Sequence, residues 1–232
     1  MKLCVDAGNT RIKWAVWDGH DWRQAGHVAS HEASGPDWSA VQADEVWISN
    51  VAGPEVAQRL QRAAVQRGWP VHVVRAMLRY GGLENGYADP ARLGVDRWAA
   101  AVAAWQCQRG ASVVVSCGTA TTIDGISAQG RFLGGLILPG LSLMQSSLCS
   151  ATAQLQMGAA QYQSFPDNTA DALFSGAVQA TLGAIQRQLA LLPQARLLLT
   201  GGAAPLLLPH LNDAEPVADL VLQGVRLISQ GV

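Results

Sequence analysis

The sequence predicts an α/β protein of two domains, about 1–110 and 111–232, each a mixed sheet flanked by helices. Three observations carry that expectation. Short β-branched or apolar runs alternate with helix-forming runs along the chain. A strand, glycine turn, strand arrangement over residues 2–16 is repeated from residue 112. The 232 residues, 49% of them hydrophobic, suffice for two cores of about a hundred residues each. No low-complexity linker marks the join, and Gly110 is the expected boundary.

In chain order, Lys2 to Val5 is a β-type run leading into Asp6. After the turn Gly8-Asn9-Thr10, Ile12, Trp14 and Val16 share one face with a period of two, so a second strand follows. Trp47-Ile48-Ser49 is a short strand, and Pro54 to Gly68 a helix with proline in its opening turn and glycine at its end. His72-Val73-Val74 is another strand, and a loop passes through Gly81-Gly82 and Asn85-Gly86-Tyr87. Pro90 opens a helical stretch to Gln108, rich in good helix formers.

The pattern restarts at Ser112 to Val115, which run into Ser116-Cys117-Gly118-Thr119 and then a β-branched segment ending near Ile126. Arg131 to Leu138 is a strand stopped by Pro139-Gly140, and Leu141 to Leu148 a helix. Asn168 or Thr169 caps a long helix to about Leu192, with Asp171 in the first turn, where the helix dipole favours an anion. Arg196 to Leu199 is a strand ending in Thr200-Gly201-Gly202, and Asp219 to Ile228 a closing helix.

Composition excludes several classes. A net charge of −1 without a basic cluster leaves no electrostatic footprint for nucleic acid. Between Arg131 and Asp167 no residue is charged, yet Gly, Pro, Ser, Gln and Thr interrupt the stretch before the ~20 apolar residues a membrane span needs. With no secretory leader in the first ten residues, a cytoplasmic location is expected. Cys4, Cys107, Cys117 and Cys149 form no CxxC pair and read as reduced core thiols. His27 and His31 sit beside Glu32 without a metal-binding pattern, and Trp14, Trp47 and Trp69 read as core.

Three apolar runs end in small polar turns: DAGNT (6–10), SCGTA (116–120) and TGGAA (200–204). Such a turn lets backbone N–H groups converge on an anion with no Cβ in the way, and Thr or Asn adds a donor. Neither GxxxxGK[ST] nor GxGxxG is present, and a strand rather than a helix follows each of the first two turns. Two strand-turn-strand clamps and a later Gly-Gly turn resemble the acetate and sugar kinase, Hsp70 and actin superfamily, which implies ribonuclease-H-like domains with nucleotide in the cleft between them. Asp6 then stands beside the phosphates, where a carboxylate needs a cation between like charges; as plain structure it is an Asx turn in its own hairpin.

Within that superfamily the chain resembles the type III pantothenate kinases, whose members include proteins named Bvg accessory factor. DAGNTRIK (6–13) and CGTATTID (117–124) are similar to the family's two phosphate motifs, and NGYADPARLGVDRW (85–98) to its substrate segment. GGLILPGLSLM (134–144), NTADALFSG (168–176) and LLLTGGAA (197–204) follow in the family's order.

The resemblance implies transfer of the ATP γ-phosphoryl group, with Mg²⁺, to the hydroxyl of pantothenate, the first step towards coenzyme A. It makes Asp96 the catalytic acid that orients the hydroxyl and takes its proton. Gly94, Val95, Asp96 and Arg97 form the substrate segment, in which Arg97 can hold a carboxylate in a bidentate fork. Tyr87 and Thr169 complete the substrate contacts, although Thr169 is also a natural helix cap. ATP falls to Asp6, Ala7, Gly8, Asn9, Thr10, Arg11, Ile12 and Lys13, with Thr119 from the second clamp. As bare sequence, Asp96-Arg97 is equally a helix-surface pair, Tyr87 a loop anchor and Lys13 an exposed strand lysine.

At Ser116 the family usually has an Asp associated with a monovalent cation, potassium or ammonium. A neutral oxygen there implies a site that is weaker, shifted or absent. The resemblance also implies a homodimer, to which the long helix from 169 is expected to contribute because Ala172, Leu173, Ala177, Ala180, Leu182, Ala184 and Ile185 exceed one apolar stripe. Two other readings stay open: a catalytically weakened, nucleotide-binding regulator of the same family, and a kinase acting on a sugar or short acid.

Overall fold

The structure is a computed structural model that describes residues 1–152, 155 and 158–231. It divides into two compact units, Met1–Arg109 with Gly130–Phe132 and Asp219–Val232, and Gly110–Gln129 with Leu133–Ala218.

The first unit begins with the hairpin β1 (Lys2–Ala7) and β2 (Arg11–Trp17), extended by β3 (Trp22–Ala29) and followed by β4 (Glu45–Asn50), α1 (Pro54–Gln66) and β5 (Val71–Val73). The strand order is β3-β2-β1-β4-β5, with β1 antiparallel to β2 and parallel to β4. Alternation decides which side is core: Leu3, Val5 and Ala7 meet Ile12, Trp14 and Val16 beneath Val56, Leu60 and Ala64 of α1. Asp6 and Lys13 therefore share the opposite face. Two short strands follow, β6 (Arg79–Tyr80) and β7 (Leu83–Asn85), then α2 (Val95–Cys107).

The expected helix from Pro90 is broken. Residues Pro90–Arg92 form one 3-10 turn, capped by Asp89, and Leu93 is extended at φ −66°, ψ 131°. Glycine at 94 then starts α2 afresh, which places Asp96 and Arg97 in its first turn.

The second unit repeats the plan. Its strands are β8 (Ser112–Cys117), β9 (Ala120–Ile126) and β10 (Arg131–Pro139), and its long helices α3 (Leu141–Ala151) and α4 (Thr169–Leu191). Next come β11 (Arg196–Thr200), the short α5 (Ala204–Leu207) and β12 (Ala214–Pro216). The order is β12-β11-β8-β9-β10, with β8 antiparallel to β9 and parallel to β11, as β1 is to β2 and β4. Arg131 and Phe132, which open β10, pair with β7 and count with the first unit.

Finally α6 (Leu220–Gln230) packs on α2 and β1 in the first unit, although a division of the chain at residue 110 assigns it to the second half. The cause is steric: a Cβ on Gly224 would collide with the backbone of Ala99 in α2, so glycine allows the two helices to touch. Val178, Leu182 and Ile185 of α4 are buried in its own unit, whereas Ala172, Gly176, Ala180 and Gly183 are exposed. Of the four thiols, Cys4 and Cys117 are buried as expected, but Cys149 is half-buried and Cys107 exposed.

Candidate functional site

The first glycine turn is held from two sides. Gly8 N–H donates to the Arg11 carbonyl at 3.0 Å and closes the β1–β2 hairpin. Ser30, just past β3, donates its hydroxyl to the Gly8 carbonyl at 2.6 Å and its N–H to the Thr10 carbonyl at 3.0 Å. Ser30 is itself fixed by Arg59 of α1, whose Nη2 donates to its carbonyl at 2.8 Å. Ala7 and Ile12 are fully buried, so only their backbones can meet a ligand, whereas Asn9, Thr10 and Arg11 are exposed.

At the end of β1, burial pushes the Asp6 carboxyl up to about 7, with the Asp96 charge as the next cause; Lys13 acts in the opposite direction and Asp219 in the same one. Lys13 Nζ donates to Asp219 Oδ1 at 2.8 Å. The starts of α2, α6 and β2 and the end of β1 thus bring three carboxylates and one ammonium into electrostatic reach. Among the described residues no group of three or more His, Cys, Asp or Glu could hold a metal ion by itself. A single desolvated carboxyl facing a like charge fits a divalent ion that takes its other ligands from water and phosphate oxygens. Asp6 is the residue that would hold Mg²⁺.

The segment from Asn85 to Arg97 is ordered around Arg97. The Asn85 side chain accepts from Tyr87 N–H at 3.1 Å and donates to the Pro90 carbonyl at 3.2 Å, and Gly86 N–H donates to the Phe132 carbonyl at 3.0 Å. Tyr87 is thereby turned so that its hydroxyl accepts from Arg97 Nη1 at 2.7 Å. The guanidinium lies 5.7 Å from the Tyr87 ring and 5.8 Å from that of Phe132, with Arg97 only 6% exposed. Stacking of this kind suits arginine more than lysine and fixes the fork's direction. Asp96 is half-buried, and a Cβ on Gly94 would stand 2.7 Å from its Oδ1, so glycine leaves room for the carboxylate.

In the second unit the other two glycine turns meet. Gly118 N–H donates to the Ala120 carbonyl at 3.1 Å, Gly140 N–H to the Thr119 carbonyl at 2.8 Å and Ala203 N–H to the Cys117 carbonyl at 3.2 Å. Gly201, at φ +98°, passes so close to Cys117 that a Cβ would collide with its backbone. Thr119 is exposed at this junction. Ser116 is half-buried, with Thr122 and Thr200 directly beside it on the adjacent strands, and Thr122 Oγ1 is buried without a hydrogen bond. This row of neutral hydroxyls does not fit a cation site that depends on a carboxylate at position 116.

Asn168 rather than Thr169 caps α4, by accepting from Asp171 N–H at 3.0 Å. Thr169 is consequently free of that duty and stands on the rim of an apolar groove of about 510 Å³ lined by Pro139, Met144, Leu148, Leu173 and Gly176. The first unit therefore assembles Asp6, Lys13, Tyr87, Asp96 and Arg97, and the second carries Ser116, Thr119 and Thr169. Sequence reasoning missed Ser30, Phe132 and Asp219. Each acts across a long chain separation, and none carries a local signal beyond lying next to a strand or helix end.

The family model for type III pantothenate kinase matches residues 2–190. A type III pantothenate kinase of Nitrosospira multiformis is 43% identical over 239 residues, covering 99% of this chain and 91% of the relative. A Campylobacter jejuni structure described as a Baf family transcriptional activator superposes with a TM-score of 0.69 at 22% identity, 98% of each chain being covered. One described as a 2-dehydro-3-deoxygalactonokinase, from Sinorhizobium meliloti, gives 0.56 at 12% identity, with 100% of this chain and 98% of that one covered. These distant structures bear on the fold alone, which is the two-domain, actin-like ATPase fold. With the repeated strand-turn-strand plan and this near full-length match in agreement, the chain belongs to the type III pantothenate kinase family.

Proposed function

We infer that the chain phosphorylates pantothenate at the expense of ATP, the opening step of coenzyme A synthesis. The observation that carries this reading is the meeting of Asp6 and Asp96 at one end of the first unit, beside an Arg97 aimed by Tyr87. Phosphoryl transfer asks for positioning and charge stabilisation more than for covalent chemistry, and this unit supplies both.

The exposed turn residues Asn9, Thr10 and Arg11, with Lys13, meet phosphates, a role the family resemblance also gives Thr119. Arg97 holds the carboxylate of pantothenate. Asp96 accepts the proton of the substrate hydroxyl as its oxygen bonds to the γ-phosphorus and the bond to the ADP oxygen breaks. Mg²⁺, when bound, neutralises the charge on the β- and γ-oxygens. Potassium or ammonium finds only neutral oxygens at Ser116, so activation by either is expected to be weak.

A homodimer is part of this reading. Supporting it, Leu133, Leu136 and Ile137 of β10 and Leu143 and Leu148 of α3 are exposed large apolar residues in one unit, and α4 exposes a row of small residues. No described helix is long and apolar enough to cross a membrane, and four free cysteines suit a reducing, cytoplasmic compartment. The deciding experiment is a coupled ADP-release assay. Turnover that depends on pantothenate and is lost in Asp96→Asn supports the assignment; turnover without pantothenate, or none, refutes it.

A further inference from the structure

We propose that Asp219 is a positioning residue for phosphate binding: it draws the Lys13 ammonium away from the Asp6 carboxylate and holds it available to a nucleotide. Lys13 and Asp6 are directly opposite each other on antiparallel β2 and β1, the arrangement in which unlike charges pair across a sheet. Lys13 instead bonds Asp219, 206 residues further along the chain. Without that anchor the lysine would settle on Asp6, and the unit's phosphate-facing cation and its metal-facing carboxylate would cancel each other.

Three features show that Asp219 is placed for this duty rather than for helix capping. It occupies the N-cap of α6, yet its side chain makes no cap hydrogen bond, although capping is what Asp commonly does there. Its backbone is left-handed, φ 47° and ψ 44°, a region that most residues with a side chain avoid and that Asp and Asn tolerate best. The helix behind it is seated by the close approach of Gly224 to Ala99, so the carboxylate has a fixed base. Stability does not require the ion pair, because its partners are 34% and 50% exposed and such pairs contribute little.

The inference rests on the reading that Lys13 meets phosphate, and the test separates the two. Equilibrium binding of a non-hydrolysable ATP analogue is measured for Asp219→Asn, Lys13→Met and the double variant, beside the KM for each substrate and the melting temperature. Asp219→Asn is expected to weaken nucleotide binding about fivefold, the scale of one ion pair, with the KM for pantothenate unchanged. In the Lys13→Met background it should change nothing further. Unaltered nucleotide affinity in Asp219→Asn, or an equal loss with Lys13 already removed, overturns the proposal. If Lys13→Met itself binds nucleotide normally, the phosphate reading of Lys13 fails and the proposal with it. Should Asp219→Asn melt too low to assay, Asp219→Gly relieves the left-handed backbone while also removing the charge, and the same comparison applies.

Discussion

At the scale of single residues, Asp6 and Asp96 lie within electrostatic reach of each other, and the proposed reading gives them different roles. Asp96→Asn keeps the shape and removes the base, so kcat should fall by roughly a thousandfold while ATP affinity persists; steady-state kinetics and nucleotide titration check both halves. Asp6 makes a stability prediction with a definite sign. Its carboxyl titrates at about 7 in the fold against 3.8 ordinarily, so between those values the folded chain keeps a proton that the unfolded chain has released. Stability of the ligand-free protein should therefore fall as pH rises from about 4 to 7 and level off above. Asp6→Asn should flatten that slope and raise the melting temperature at pH 8 by about 5 °C, while nucleotide binding is lost; a series of thermal melts across pH decides it. Asp96 and Arg97 were legible because they are neighbours in a motif. Asp219 was not, since nothing near residue 219 announces a lysine at 13.

Among the elements, β2 was readable from the alternation of Ile12, Trp14 and Val16, and β1, β8 and β9 from short apolar or β-branched runs beside glycine turns. The pieces β6, β7 and β12 span two or three residues, too few to show any period. The break at Leu93 was hidden by helix formers on both sides, and glycine at 94 reads as a mere weakness in a helix until the Asp96 carboxylate beside it is seen. Helix α4 carries more apolar positions than one stripe, and those it leaves exposed, Ala172, Gly176, Ala180 and Gly183, are small and contribute little area. Two predictions belong at this scale. Gly224→Ala should cost about 2–3 kcal/mol of stability by wedging α6 off α2, and weaken nucleotide binding as Asp219 shifts. Ser30→Ala should raise the KM for ATP several-fold with the KM for pantothenate unaffected, because it unfastens the first glycine turn alone.

At the level of the whole molecule, the duplicated plan of the two units was visible as a repeat, while the membership of α6 was not, because periodicity says which face a helix buries and not which sheet receives it. Light scattering at micromolar concentration should give twice the monomer mass; a stable monomer would leave the exposed leucines of β10 and α3 without a role. The return of α6 to the first unit also bears on biosynthesis. Lys13 stands on the second strand, but the helix that packs on its sheet and the carboxylate that anchors it follow some 200 residues later in the chain. The end of the first unit that carries Lys13 therefore cannot form until the chain has been made past α6, and a fragment stopped at Ala218 should neither fold that unit nor bind ATP. Synthesis thus withholds that end of the unit from any product that stops short of α6.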